Sequence, residues 1–292
     1  MSLSAADASD LFRQPPERFI QADIGEIAYR VVGSGPDVLF VHGWPVNSAT
    51  FRLLLPHLAD HVTCHLIDLP GAGSSRYAAD APLTIENHIT SVRRAIDALG
   101  LTDVVVVGHD SGGMIARHAV AGDPRVRGMV LIDTEQSTGL SWRFKSFIAN
   151  RKVPGFGAAL GWLAGKPSLR RNKFVLGDAF VDRSLLDGEF DEFFLRPLHE
   201  SKEYRNATMR LLRSFDYRHV HELKALHTRI DVPVTLVWGE KDAFFPLAWA
   251  KEMVNDFRQA NLEVIAGAGL FSHEERPAEV AAAMLPTLLH QR

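Results

Sequence analysis

Three side chains in this sequence, Asp110, Asp242 and His273, stand where they could carry covalent chemistry. Asp110 is the centre of Gly108-His109-Asp110-Ser111-Gly112, a G-x-D-x-G frame between a β-branched run (Val104–Val107) and an apolar pattern at helical spacing (Met114, Ile115, Ala119, Val120). That frame predicts a nucleophile elbow, a strained strand-to-helix turn that lifts its central side chain above a sheet. Small residues flank such a turn because the two backbones approach closely. The other reading of Asp110 is a cap for the helix that follows it. A carboxylate attacking an ester would give a reactive anhydride, whereas attack on a saturated carbon gives a stable alkyl ester. Freeing that ester needs a base. His273, oriented by Asp242, is expected to take a proton from the attacking water. Asp133 and Glu135 are the alternative orienting acids.

The elements that must position these groups read as follows. Phe19–Ile24 and Ile27–Val32 form a hairpin across Gly25. Further strands are expected at 37–41, 61–67, 104–107, 128–132, 234–237 and 262–265, with helices near 49–59, 84–99, after the elbow, and 278–289. Alternating strands and helices imply an α/β fold, a mostly parallel sheet with helices on both faces. Asp110, Asp242 and His273 all follow strand C-termini, the edge where open α/β sheets place ligands. Between Asp133 and Asp231 only helical periodicity is found, so 133–231 is expected to be an inserted helical lid. Residues 1–132 and 232–292 would form the core domain. The N-terminal segment from Met1 to Arg18 is polar and is expected to fray.

The 292 residues are 46% hydrophobic with a formal net charge of −3, which gives no reason to expect nucleic acid or an anionic membrane as partner. The single cysteine, Cys64, lies in an expected core strand and excludes an intrachain disulfide. No secretory signal or membrane-spanning run is visible, so a cytoplasmic enzyme is expected. No metal or cofactor is expected, because the histidines are scattered. A homodimer is left open.

Four motifs carry a resemblance: His42-Gly43-Trp44-Pro45, Gly108-His109-Asp110-Ser111-Gly112, Trp238-Gly239-Glu240-Lys241-Asp242, and Leu270-Phe271-Ser272-His273-Glu274-Glu275-Arg276-Pro277. With them the chain resembles α/β-hydrolase-fold enzymes of the aspartate-nucleophile branch, which includes epoxide hydrolases and haloalkane dehalogenases. The resemblance implies an oxyanion hole from the backbone N–H groups of Trp44 and Ser111. It also implies a small hydrophobic substrate, most readily an epoxide opened to a diol. Tyr204 in Tyr204-Arg205-Asn206 resembles a ring-opening tyrosine of that family, although no tyrosine lies between Asp133 and Glu203 to pair with it. Trp44, Trp142 and Tyr217 are further candidates for substrate contact. A halide leaving group fits less well, since Ser111 replaces the tryptophan that usually follows the nucleophile and Trp44 replaces an asparagine. A ligand-binding protein of low turnover on the same scaffold is the remaining alternative.

Overall fold

Alternating and continuous apolar runs set the strands. In chain order they are β1 (Arg18–Ala22), β2 (Gly25–Gly33), β3 (Asp37–Val41), β4 (Thr63–Ile67), β5 (Arg76–Tyr77), β6 (Val104–His109), β7 (Val126–Ile132), β8 (Val234–Gly239) and β9 (Ala260–Ile265). The structure, a computed structural model, describes residues 3–290. One sheet runs β1-β2-β4-β3-β6-β7-β8-β9, with β5 beside β2. β1, β2, β4 and β5 meet antiparallel, and every pairing from β4 through β3 to β9 is parallel. β3, β6 and β7 are the central strands and are covered on both faces. This explains their unbroken apolar runs. Cys64 is buried in β4, where burial pushes its thiol up to about 12.

Among the helices, α1 (Ala5–Arg13), α2 (Ile85–Ala98), α3 (Ser111–Val120), α4 (Trp142–Ala149), α5 (Phe156–Ala164), α6 (Lys202–Ser214) and α7 (Pro277–Leu288) bear on the site. α1 replaces the expected frayed start, of which Met1 and Ser2 lie outside the described residues. Ser4 and Asp7 close a capping box on it. Arg13 then pairs with Glu189 and Glu192, which belong to the long insertion. The expected helix near 49–59 is instead a 3₁₀ segment, Ser48–Leu54, with one α-helical turn after it.

Between β7 and β8 the described residues form helices and turns but no strand. Both ends of this stretch nevertheless fasten to the core. Asp133 accepts hydrogen bonds from Gly239 N (2.7 Å) and Ser272 Oγ (2.5 Å). At the other end Arg117 Nη1 on α3 meets His227 Nε2 at 3.0 Å, and His219 packs edge-on against His118.

Candidate active site

The elbow forms as its residues dictate. A Cβ at Gly108 would stand 2.5 Å from Gly113 Cα, so only glycine lets β6 and α3 meet there. Asp110 adopts φ 49° and ψ −135°, a conformation that costs a non-glycine residue about 1–3 kcal/mol. Surrounding bonds hold it in place. Asp110 N donates to Ile132 O (3.2 Å) and Asp133 O (3.1 Å), and Thr134 Oγ1 donates to Asp110 O (2.7 Å). Trp44 N donates to Asp110 Oδ2 at 2.8 Å, while Gly43 lies so close that a Cβ would stand 2.6 Å from the same oxygen.

Burial pushes the Asp110 carboxyl well above the usual carboxylate range, helped by the charge of Glu135, while the N–H groups of Ser111 and Trp44 pull it back. Glu135 is raised too, mainly by burial. The two carboxyls open onto one cavity of about 80 Å³. Its other walls are apolar. Trp44, Ile85, Phe244, Leu270 and Phe271 come from the core side, and Phe147, Val175, Leu211 and Phe215 from the insertion.

The other expected members of the set lie elsewhere. His273 is fully buried, but its Nε2 is engaged with Thr50 Oγ1 at 2.8 Å. Thr50 in turn reaches Glu274 Oε1 (3.3 Å), which also accepts from Arg52 Nη1 (2.8 Å). The imidazole packs edge-on to His109 with centroids 4.3 Å apart, its Nδ1 has no partner, and burial holds it well below the usual imidazole range. It does not line the cavity. The general-base assignment to His273 is thus corrected. The chain leaves β9 through Gly267–Gly269, turns Leu270 and Phe271 into the cavity, and coils once at Ser272–Glu275, which carries His273 beneath them.

Asp242 sits where expected, after β8, and its loop is tied to the Leu270 loop by Lys241 N to Ala268 O (2.8 Å). Its Oδ1 accepts from Phe244 N (2.7 Å) and Phe245 N (3.0 Å), but Oδ2 is buried with no partner, and burial raises the group to about 7. It therefore does not orient His273. Asp133 does not either, since both its oxygens clamp the core.

Trp44 N–H donates to Asp110 Oδ2, and Trp44 and Ser111 line the cavity with Asp110. Tyr204 lies outside the cavity wall, buried near Asn47, Asp68 and Gly73, and so is not placed to protonate a leaving group there. Trp142 is 71% exposed and Tyr217 37% exposed, so neither is a substrate contact. The sequence reading takes Phe147 only as part of an apolar lid and Glu135 only as an orienting acid, and gives Leu270 no place on the cavity wall.

A mostly parallel sheet with an elbow after β6 and a helical insertion before β8 defines a fold class. Residues 36–277 match the family model of the alpha/beta hydrolase fold, and the chain belongs to that family. It is 25% identical over 237 residues to the uncharacterized hydrolase YugF of Bacillus subtilis, covering 81% of this chain and 84% of that one. It is 38% identical over 102 residues to a pimeloyl-[acyl-carrier protein] methyl ester esterase of Stenotrophomonas maltophilia, covering 35% of this chain and 37% of the esterase. In structure it resembles an alpha/beta hydrolase fold protein from Burkholderia ambifaria, with a TM-score of 0.78 at 22% identity over 94% of this chain and 98% of that one.

Proposed function

We propose that the protein is a hydrolase that opens a small hydrophobic epoxide to a diol through an alkyl ester on Asp110. The observation that carries this reading is the Asp110 carboxyl itself. It is held on a strained elbow, its Oδ2 fixed by Trp44 N–H at 2.8 Å, and it faces an otherwise mostly apolar cavity. Oδ2 is then the spectator oxygen, and Oδ1 attacks the epoxide carbon. In the later attack of water on the ester, negative charge develops on the spectator oxygen, where the Trp44 N–H already points, with the Ser111 N–H bonded to the same carboxyl. An ester or amide substrate suits a carboxylate nucleophile poorly, because the product would be an anhydride.

A halide leaving group draws less support. Among the described residues Trp44 is the one tryptophan on the cavity wall, and its indole N–H donates to Thr208 O at 2.9 Å. Capture of a ligand with little turnover has one observation in its favour: among the described residues no imidazole lines the cavity.

Asp110→Asn is expected to abolish diol formation across a panel of aliphatic and aromatic epoxides, a loss of at least about a thousandfold for removal of a covalent nucleophile. Full turnover by this variant would remove the mechanism.

A further inference from the structure

With His273 turned away and Tyr204 outside the wall, the cavity is lined among the described residues by one carboxyl besides Asp110, that of Glu135. It follows β7 as Asp110 follows β6, and the two are bridged by Thr134. The Thr134 hydroxyl lies 2.7 Å from the Asp110 carbonyl oxygen and 3.1 Å from Glu135 Oε2. The bridge is itself locked, since Arg117 Nη2 donates to Thr134 Oγ1 (3.0 Å) and to the Glu135 carbonyl (2.7 Å). Two carboxyl groups in one apolar cavity resist double ionisation, and burial raises both.

Resting on the Asp110 reading above, we propose that Glu135 is the general acid and base of this site, protonating the leaving oxygen and then activating the water that frees Asp110. In the first step Asp110 Oδ1 forms a bond to the epoxide carbon and the carbon–oxygen bond of the ring breaks. The alkoxide takes the proton of Glu135, leaving a hydroxyalkyl ester and the Glu135 carboxylate. In the second step that carboxylate takes a proton from water as the water oxygen bonds to the ester carbonyl carbon of Asp110. The tetrahedral intermediate then expels the diol oxygen, which takes the proton of the new Asp110 carboxylic acid. Asp110 is again a carboxylate and Glu135 again an acid, for a net addition of water to the epoxide. One residue serving as acid and then base is the logic of two-carboxyl glycoside hydrolysis, applied here to an alkyl ester.

The test separates this role from the nucleophile. A short 1-bromoalkane loses bromide without needing a proton, whereas 1,2-epoxyhexane needs one. Wild type, Glu135→Gln and Asp110→Asn are each mixed with either probe and followed by intact-protein mass spectrometry. With the bromoalkane, bromide takes no proton, so wild-type Glu135 gives its proton to solvent once Asp110 is an uncharged ester and then activates water. Glu135→Gln should gain the alkyl mass on Asp110 and keep it about a hundredfold longer than wild type. With the epoxide, its adduct and diol should form about a hundredfold more slowly. Glu135→Asp, which keeps the carboxyl, should lose the alkyl mass at an intermediate rate and guards against a folding defect in the amide variant. Equal ester lifetimes in wild type and Glu135→Gln, with Asp110 alkylated in both, would overturn the Glu135 role alone. Absence of any adduct on Asp110 in every variant, together with diol formation by Asp110→Asn, would overturn the Asp110 reading and this role with it.

Discussion

Asp242 keeps Oδ1 on two backbone N–H groups and leaves Oδ2 buried without a partner. A buried unpaired acceptor costs about 1–3 kcal/mol, so its orientation is a feature of the site to be explained. The adjoining loop places Leu270, an apolar side chain, on the cavity wall where a donor to that oxygen could stand. Leu270→His should supply the donor and a second base, shortening the lifetime of the Asp110 alkyl ester about tenfold or more in the mass assay. An unchanged lifetime would mean that the free oxygen does not face position 270. His273→Gln makes the opposite case. Its imidazole serves the Thr50–Glu274–Arg52 chain, so ester hydrolysis should be unaffected while urea denaturation reports a loss of about 1 kcal/mol. An ester that persists in this variant would return the base to His273.

At the scale of elements, the insertion is fastened to the core by arginines of unequal weight. Arg52, in the 3₁₀ segment Ser48–Leu54, is 3% exposed and pairs with Glu274 (2.8 Å) and Glu189 (2.9 Å). Arg13 on α1 is 35% exposed and pairs with Glu189 and Glu192. Arg52→Ala strands the buried Glu274 charge and should cost about 3–5 kcal/mol in chemical denaturation. Arg13→Ala, in solvent, should cost about 1 kcal/mol or less. Comparable losses would mean that burial does not set their weights. The elements themselves were largely legible. Val104–Val107 with Gly108 and Gly112 specified β6, the elbow and α3, because close backbone approach demands glycine at fixed places. α1 was not legible, since its stability comes from Ala8 and Ser9 packing on the core and Arg13 reaching the insertion, contacts far apart in sequence. Within the insertion, the 3₁₀ turn Arg183–Leu186 and the π-helical segment Asp191–Leu195, which runs into a helix at Arg196–Glu200, are anchored by Arg170 to Asp187 and Asp191.

At the scale of the whole molecule, four buried carboxyls, Asp110, Asp133, Glu135 and Asp242, gather at the sheet's C-terminal edge, each raised by burial. A carboxyl raised on folding contributes stability below its unfolded pKa and loses it as pH rises through its folded value. For Asp242 that window runs from the ordinary 3.8 to about 7. The buried histidines act in the opposite sense: His88, held down to about 4, and His109, to about 3, contribute above the ordinary 6.5 and lose that contribution on acidification. Asp242→Asn keeps an acceptor for the Phe244 and Phe245 N–H groups and removes the ionisation. It should therefore be more stable than wild type at pH 8, by roughly 1–4 kcal/mol, with the difference vanishing near pH 4. Thermal or urea unfolding of both proteins across that range checks it, and a constant difference would show that Asp242 titrates normally. No helix among the described residues is long and apolar enough to cross a membrane.

The sequence by itself determined the central strands, the elbow with Asp110 at its apex and the helical character of the insertion. Each of these follows from local periodicity or from a backbone conformation that few residues tolerate. Only the tertiary structure decided which side chains of the loops after β7, β8 and β9 face that apex. Leu270 lies in the loop before the helical turn Ser272–Glu275 and His273 within it, so the path by which the chain enters that turn sets which of them faces the cavity. That choice is made by what each side chain meets: an apolar cavity wall for Leu270, and the Thr50 hydroxyl for His273.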